Sequence, residues 1–378
     1  MLPRDLFGEE HEIFRQSVRR FLTDNFVPQH DRWEEQGVVD REAWLKAGEQ
    51  GLHCMSVSEA YGGLGADRLY SVVLFEELAR LNLSGPAFHI HSGIVAPYIE
   101  GHGTEAQKLA WLPRMARGEA IAAIAMTEPG GGSDLQAMQT VARPVEGGYV
   151  LNGQKTFISN GQLADVIVVA AKTDPTLGAR GVTLFLVDAT TAGVARGRNL
   201  RKMGFHAQDT SELFFDDVRL PESAVLGEVG RGFYILMKEL AWERMLIAVR
   251  AVAMCEAALE WTADYARDRK MFGGVLLDKQ YVRFILADLK GQTLMARAFV
   301  DRCLELVLQG RLTADVAAAA KLQTTELQSR LLDQCLQFHG GAGYMWETPI
   351  CRAYADTRYM RIAGGSNEVM RDLVARTL

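Results

Sequence analysis

The sequence predicts an α+β fold in which a central β domain lies between two helical domains. Apolar residues recur with helical spacing up to about residue 122 and again from about residue 231. Between these regions, short β-branched runs alternate with glycine-containing turns. The 378 residues are 48% hydrophobic and 23% charged, which is typical of globular proteins, and this length predicts two or three domains. We therefore predict domains at 1–122, 123–230 and 231–378.

The first domain is predicted to be helical. Its apolar residues follow a spacing of three and four residues around Phe14, Val18 and Phe21, which is typical of amphipathic helices. Breakers that contain glycine and proline, at 62–65 and 85–86, separate these helices. The domain is therefore expected to contain several helices.

The second domain is predicted to be an antiparallel β-barrel or sandwich. Turns at Gly147-Gly148, Asn152-Gly153 and Asn160-Gly161 supply the positive φ angles that tight hairpins need. Because no helical segments separate the strands, this arrangement is favoured over a parallel sheet. The six predicted strands are 141–145, 149–151, 155–159, 166–170, 182–187 and 213–215.

The third domain is predicted to be an antiparallel four-helix bundle. Long amphipathic segments cover 233–270, 278–309 and 313–338, and a last short helix begins at Asn367. Helical periodicity is clear in each of the long segments, so the expected order along the whole chain is helical, β, helical.

Composition and charge exclude several classes of function. A formal charge of -6 gives no electrostatic reason to expect nucleic acid as a partner. No run approaches the roughly 18 apolar residues of a membrane span, and residues 1–12 do not resemble a signal peptide, so a cytoplasmic location is expected. The five cysteines form no C-x-x-C pair, and His89-x-His91 is interpreted as a structural pair, so no metal site is predicted.

Two glycine-rich segments are candidate ligand sites. In the segment 125–134, glycines let backbone amides approach a ligand, while Thr127 and Ser133 add hydroxyl groups. Such a loop suits a phosphate or a polar ring edge, although a flexible connector has a similar composition. Gly340 and Gly341 end a helix, where they act either as a C-cap or as amide donors to a pyrophosphate.

Glu243 is the candidate catalytic residue. It lies between Leu240 and Ile247 on the apolar stripe of the helix at 233–270. A carboxylate at such a position must be paired or have a raised pKa, because burying an unpaired charge is costly. The pattern alone leaves two interpretations open, a general base and a structural ion pair with an arginine.

These residues resemble the acyl-CoA dehydrogenase family over essentially the whole chain. The segments AMTEPGGGSDLQA (125–137) and QFHGGAGYMWETPICRAYAD (337–356) look like the two signatures of the family. KTFISNG (155–161), KMGFHAQDT (202–210), RKMFG (269–273) and GGSNE (364–368) support the resemblance. It implies an FAD enzyme that removes two hydrogens from the α and β carbons of an acyl thioester.

The resemblance also implies which residues hold the cofactor. Thr127 and Ser159 are expected to hydrogen-bond the flavin ring, Phe157 to lie against it where the family often has tryptophan, and Ser133 to lie where flavin and acyl-CoA meet. A further group is expected to contact the FAD of a neighbouring subunit, which implies a homotetramer assembled as a dimer of dimers; these are Arg269, Phe272, Gln280, Gln337, Gly340 and Gly341. The remaining expected cofactor contacts are Met126, Gly132, Ser366 and Glu368.

The chain departs from the family at the position of the base. Many members carry a Glu-Gly-Thr motif where this chain has Gly364-Gly365-Ser366, whereas long-chain and isovaleryl-CoA dehydrogenases have a glutamate just before an arginine, as Glu243-Arg244 stands here. The resemblance therefore implies that Glu243 takes the α proton while hydride leaves the β carbon for the flavin. Arg244, Ala363 and Gly364 are the other expected substrate contacts, with the Gly364 amide on the thioester carbonyl.

The resemblance further implies electron-transferring flavoprotein as the electron acceptor. The small Ala363 stands where straight-chain enzymes usually have tyrosine, which predicts tolerance of a branched medium or long acyl chain. Two alternatives remain at this stage. One is an acyl-CoA oxidase or flavin monooxygenase of the same fold, and the other is a flavin-binding or acyl-CoA-binding protein without activity.

Overall fold

The computed structural model describes residues 3–378 and begins with a group of short helices. A π-helical segment, His89–Val95, runs directly into the fifth of them, and this continuous stretch packs against the third domain. The helices of this domain are α1 (Glu9–Asn25), α2 (Val27–Gln36), α3 (Arg41–Glu49), α4 (Arg68–Arg80), α5 (Ala96–His102) and α6 (Glu105–Ala116).

Eight strands of the middle domain form one sheet with the order β6-β7-β3-β2-β4-β5-β8, and β1 pairs with β4. The pairings are antiparallel except for β1 with β4 and one bridge between β2 and β4. The strands are β1 (Ala122–Ala125), β2 (Val141–Val145), β3 (Gly148–Ser159), β4 (Val166–Lys172), β5 (Val182–Asp188), β6 (Val194–Asn199), β7 (Thr210–Pro221) and β8 (Val225–Leu226).

The sheet is not closed as a barrel, so that part of the expectation is not confirmed. Its path of paired strands ends at β6 on one side and at β8 on the other. Strand β4 is buried on both faces: Val166 and Val168 pack with the helical core, whereas Ile167 and Val169 pack with the apolar side chains of β3, β5 and β7. This double burial explains the continuous apolar sequence of β4.

The prediction of a turn at Asn152-Gly153 is wrong. Strand β3 continues through these residues, and its register with β7 shifts between Leu151 and Gly153. A Cβ atom at Gly153 would lie 2.5 Å from the Oγ1 of Thr140, so glycine is required here by a close approach of two chain segments. The other two predicted sites do bend, with positive φ at Gly147 and at Asn160.

Three long helices form the centre of the third domain. Helix α7 packs against α8, α9 and, from the first domain, α4. The structure has one helix more than the predicted four, the short α10. The helices are α7 (Gly232–Asp268), α8 (Gln280–Leu308), α9 (Ala314–His339), α10 (Pro349–Thr357) and α11 (Asn367–Ala375), and a small hairpin of β9 (Lys270–Met271) and β10 (Gly274–Val275) joins α7 to α8.

Within residues 3–378, no helix is both long enough and apolar enough to cross a bilayer. The domain boundaries given above from the sequence stay predictions.

Candidate active site

Glu243 is a buried carboxyl group on α7, with 6% of its surface exposed. The hydroxyl of Tyr98, on α5, donates a hydrogen bond of 2.8 Å to its Oε1. Burial raises the pKa of Glu243 to about 7; nearby Glu239 raises it further, while Tyr98 and Arg244 oppose the shift. Among residues 3–378, no basic group lies within 4.0 Å of the carboxylate, so the structure contains no ion pair of the kind that the second interpretation required.

Close packing fixes the face of α7 that carries Glu243. The indole Nε1 of Trp242 donates to the carbonyl oxygen of Gly93 at 3.0 Å. A Cβ atom at Gly93 would lie 2.7 Å from the Cδ1 of Leu246, so a larger residue would force Leu246 to shift where the π-helical segment approaches α7. This approach places Tyr98, at the other end of the same segment, opposite Glu243.

Gly364 lies beside the same face of α7. Its φ is +65°, and a Cβ atom there would lie 2.6 Å from the Cδ1 of Ile247, one helical turn from Glu243. The buried ammonium of Lys321, on α9, holds the following residues by donating to the carbonyl oxygen of Gly365 and to Asn367 Oδ1, both at 2.8 Å. The structure therefore brings Glu243 and the Gly364 turn together.

Arg244 and Ala363 flank this pair. Arg244 is 5% exposed, and its Nε has no hydrogen-bond partner in the described part of the chain. Its charge contributes to a lowered pKa of Lys321, about 8, for which burial is the main cause. Ala363 belongs to the turn that precedes Gly364, where its amide donates to the carbonyl of Tyr359 at 3.0 Å.

The glycine-rich segment after β1 is anchored, unlike a flexible connector. The buried Lys155 donates to Glu128 Oε1 at 2.8 Å and to the carbonyl of Met126 at 3.0 Å. The amide of Thr156 donates to the carbonyl of Thr127 at 2.9 Å. Burial raises the pKa of Glu128, but the hydrogen bond from Lys155 and others leave it below its usual value, whereas burial lowers the pKa of Lys155 against the effect of Glu128.

These bonds leave the glycine segment open at its tip. Gly132 and Ser133 are exposed, and a Cβ atom at Gly130 would meet no atom within 4 Å. Next to the anchored segment, Phe157 is 67% exposed and has a φ of 59°, a conformation that is unusual for an aromatic residue. Ser159 accepts a hydrogen bond of 2.9 Å from the side-chain amide of Gln208.

A second exposed surface lies at the far end of the third domain. Phe338 packs with residues of the β9–β10 hairpin and of α8, which brings Gln337 near the segment 269–280. Gly340 has a φ of 58°, and Cβ atoms at Gly340 and Gly341 would meet no atom within 4 Å. The exposed residues of this surface are Arg269, Phe272, Gln280, Gln337, Gly340 and Gly341.

Two further expected cofactor contacts lie at the start of α11. The Oγ of Ser366 accepts from the amide of Val369 at 3.4 Å and so caps the helix, and Glu368 is exposed in its first turn. The exposed surface around Thr127 and Phe157 and the exposed surface around Gly340 and Gly341 both fit the chemistry of FAD. Phe157 offers an aromatic face beside hydroxyl groups, and Gly340 and Gly341 offer open amides that suit a pyrophosphate.

Three residues of the site were not identified from the sequence. Tyr98, Lys155 and Lys321 each act through contacts with residues that are distant in the sequence, which no local pattern predicts. Lys155 lies in a predicted strand where a buried ammonium is unexpected, and its polar neighbours Gln154 and Thr156 give no sign in the sequence that it is buried.

Family models match three successive parts of the chain. The acyl-CoA dehydrogenase N-terminal domain matches residues 8–119, the middle domain 123–218 and the C-terminal domain 230–378. The chain is 48% identical over 377 residues to the mitochondrial long-chain specific acyl-CoA dehydrogenase of Rattus norvegicus, covering 99% of this chain and 88% of the relative. It is 32% identical over 376 residues to the mitochondrial isovaleryl-CoA dehydrogenase of Oryza sativa subsp. japonica, covering 99% and 92%.

Solved structures agree with these matches. An acyl-CoA dehydrogenase from Geobacillus kaustophilus superposes with a TM-score of 0.98 at 44% identity, covering 99% of both chains. A structure described as the electron transferring flavoprotein of Acidaminococcus fermentans has a TM-score of 0.94 at 31% identity, and PigA with FAD and proline has 0.92 at 29%; each covers 98% of both chains. The chain belongs to the acyl-CoA dehydrogenase family, a family of oxidoreductases.

Proposed function

We propose that the protein is an FAD-dependent acyl-CoA dehydrogenase that converts a fatty acyl-CoA to the trans-2-enoyl-CoA. The observation that carries this proposal is the carboxyl group of Glu243, which is buried, has no ion-pair partner among the residues that the structure describes, and lies beside the Gly364 turn. A pKa of about 7, raised by burial, suits a group that must take a proton near neutral pH.

In the proposed reaction, Glu243 takes the α proton of the thioester. Bound FAD supplies the acceptor for the two electrons that leave the β carbon as hydride. The amide of Gly364 donates a hydrogen bond to the thioester carbonyl and stabilises the charge that develops on its oxygen. Lys321 supports this step by fixing the residues that follow Gly364.

The residues expected to hold FAD fall into two groups. Thr127, Phe157 and Ser159 bind the flavin ring on one surface, with Met126, Gly132, Ser133, Ser366 and Glu368 around it. The other surface, which includes Arg269, Phe272 and Gln280, binds the FAD of a neighbouring subunit. In this proposal a cofactor that is shared between subunits requires at least a dimer, and the resemblance to the family supports a homotetramer assembled as a dimer of dimers.

An apolar face of α8 supports this self-association. Tyr281, Phe284 and Met295 fall on one side of the helix, are 65%, 58% and 68% exposed, and point away from the buried side of α8. We name these three residues the α8 face.

The likeness to a structure described as an electron transferring flavoprotein supports a second partner. We propose an electron transferring flavoprotein as the electron acceptor of this protein.

The proposed substrate is a medium or long acyl-CoA, with a methyl branch tolerated at the β carbon. Support comes from the small Ala363 in the turn beside Gly364 and from the similarity to isovaleryl-CoA dehydrogenase. A panel of branched and straight thioesters tests this part. We expect Ala363→Tyr to lower the ratio of branched to straight turnover, and an unchanged ratio contradicts it.

Titration of the purified protein with acyl-CoAs under anaerobic conditions tests the function. We expect flavin absorbance to bleach on addition of substrate and enoyl-CoA to form in equal amount. Bound flavin that no acyl-CoA bleaches indicates a binding protein without activity. Rapid reoxidation of the bleached protein by oxygen indicates an oxidase or a monooxygenase instead.

A further inference from the structure

Arg250 is a buried cation without an acidic partner. It is 8% exposed, and no carboxylate of residues 3–378 lies within 4.0 Å of its guanidinium. Its Nη1 donates to the Nε2 of His89 and to the hydroxyl of Tyr359, both at 3.2 Å, while its Nε and Nη2 donate to no described residue. A buried arginine is ordinarily paired with an anion, because an uncompensated buried charge is costly.

The neighbours of Arg250 do not neutralise it. Burial, and then the charge of Arg250, lower the pKa of His89 well below its ordinary value, so this imidazole is neutral and its Nε2 can accept a hydrogen bond. The ring of Phe205 lies 5.6 Å from the guanidinium carbon and contacts Tyr359. The cation–π contact is weaker than an ion pair, so the positive charge remains available to an anion.

Arg250 lies in line with Glu243 along α7. Residues seven apart are separated by two helical turns and about 10 Å, and they point in nearly the same direction. Ile247 lies between them on the same line. The proposed base and the unpaired cation therefore stand at the two ends of one short stretch of helix surface.

Two other segments run along this stretch, both antiparallel to α7. In the first, Tyr98 contacts Glu243 and His89 contacts Arg250. In the second, Gly364 lies against Ile247 and Tyr359 contacts Arg250. The first segment thus contributes a polar group at each end of the stretch, and the second contributes Tyr359 at Arg250 and the Gly364 turn against Ile247, one helical turn from Glu243.

We propose that Arg250, with His89 and Tyr359, forms a polar subsite for the far end of the acyl chain, and that the subsite favours acyl-CoA substrates whose chain ends in a carboxylate. This inference rests on the proposed function, because Glu243 fixes the position of the α carbon. The chain extends from there along Ile247, and its terminal carboxylate accepts hydrogen bonds from the free Nε and Nη2 of Arg250. Arg250 is a specificity-determining residue in this arrangement.

Pairs of CoA thioesters with equal carbon count test the proposal, one ending in a methyl group and the other in a carboxylate. The measurement is kcat/KM for each, and the quantity compared is the carboxylate-to-methyl ratio within one variant, so that differences in active enzyme cancel. We expect the wild-type ratio to exceed one at the chain length that reaches Arg250. Arg250→Met should lower it about 10- to 100-fold, the loss typical of hydrogen bonds to a charged group.

Three further variants sharpen the test. Arg250→Lys keeps a cation and should retain part of the preference. Arg198→Met removes an 80% exposed arginine on β6 and should leave the ratio unchanged. If Arg250→Met does not fold, Tyr359→Phe removes one hydroxyl and should lower the ratio by up to about tenfold.

The outcomes separate this inference from the proposed function. A wild-type ratio below one at every chain length overturns the subsite, and so does a ratio that neither Arg250→Met nor Tyr359→Phe changes. In both cases, bleaching of the flavin by methyl-ended thioesters would still support the proposed dehydrogenase activity. Failure of every thioester to bleach the flavin overturns the dehydrogenase assignment and, with it, the subsite.

Discussion

Among single residues, Glu243 combines burial, a hydrogen bond from Tyr98 and a pKa raised to about 7. An ionised carboxyl group that is buried with no basic partner destabilises a protein, so such a group is either protonated or retained for a function. The contacts and burial of Glu243 therefore say more about its role than its position in the sequence does. Two predictions follow from the contacts that it makes.

Glu243→Gln keeps the shape of the side chain but cannot accept a proton. We expect the rate of flavin reduction by substrate to fall about 10²- to 10⁴-fold, the usual contribution of a general base, while FAD content and thermal midpoint persist. Glu260→Gln is the matched control, since Glu260 is an exposed carboxylate of the same helix that contacts Arg80. If Glu243→Gln reduces its flavin at the wild-type rate, the assignment is wrong, and Glu368 becomes the next carboxylate to test.

Tyr98→Phe removes the hydrogen bond that favours ionised Glu243, so the pKa of Glu243 should rise above about 7. Because only the ionised base accepts a proton, the rising limb of the rate against pH should move to higher pH, by about 1 to 2 pH units for a hydrogen bond to a charged group. Stopped-flow measurement of the rate of flavin bleaching across the pH range locates this rising limb. Tyr61→Phe, which removes the hydroxyl of an exposed Tyr-Glu pair, should not move it; a limb that stays in place in Tyr98→Phe contradicts the role of Tyr98.

At the scale of elements, the close contact between α7 and the Gly364 turn determines whether a glutamate at position 364 could replace Glu243 as the base. A Glu243→Gly, Gly364→Glu double variant should recover little activity. The new side chain would start 2.6 Å from Ile247 Cδ1 at a φ of +65°, which strains any residue except glycine. Adding Ile247→Ala removes the clash and should recover part of the flavin reduction rate.

Single-turnover bleaching of the double and triple variants measures this recovery. Glu243→Gly with Ile247→Ala, in which Gly364 is retained, is the control for extra space alone. The remaining φ strain, of order 1 to 3 kcal/mol, makes full recovery unexpected. A double variant as active as the triple one would show that Ile247 does not restrict this position.

The α8 face permits a test of assembly at the same scale. Met295→Glu places a charge on an exposed apolar surface, so it should dissociate the proposed oligomer while each subunit stays folded. FAD should be lost in parallel, because Arg269 and Phe272 are expected to reach a neighbouring subunit's cofactor. Light scattering and flavin absorbance measure both effects. Lys290→Glu, an exposed change on another side of α8, should leave assembly intact, and a monomer of Met295→Glu that retains full FAD contradicts the shared site.

Single elements also show where local patterns fail. The Asn152-Gly153 pair has the composition of a hairpin turn, but the contact of Gly153 with Thr140 keeps it inside β3. The strands β1, β6 and β8 were not predicted, since two of them have only two or four residues and β6 is largely polar. Long periodic segments such as α7 and α9 were predicted to within two residues at each end.

At the scale of the whole molecule, the candidate site draws on all three domains. Tyr98 comes from the first, Thr127 and Phe157 from the second, and Glu243 from the third. The order helical, β, helical and the place of Glu243 on the apolar stripe of α7 could be predicted from periodicity within single segments, whereas its role as the base came from the resemblance to the family. The hydrogen-bond partner of the base could not, because Tyr98 and Glu243 are 145 residues apart and only the packing of α5 on α7 joins them.

Phe157 illustrates how activity and stability oppose each other in this protein. Its left-handed backbone and its largely exposed ring are both unfavourable before a cofactor covers the ring. Phe157→Gly should therefore increase the free energy of unfolding of the apoprotein by about 1 kcal/mol or less and raise its melting temperature. The same substitution should weaken the retention of FAD. Thermal melts with and without added FAD measure the two effects, and a fall in both contradicts this account. A search for stabilising substitutions would select this change and lose the proposed enzyme, because a strained and exposed position of the apoprotein is where the proposed cofactor needs an aromatic surface.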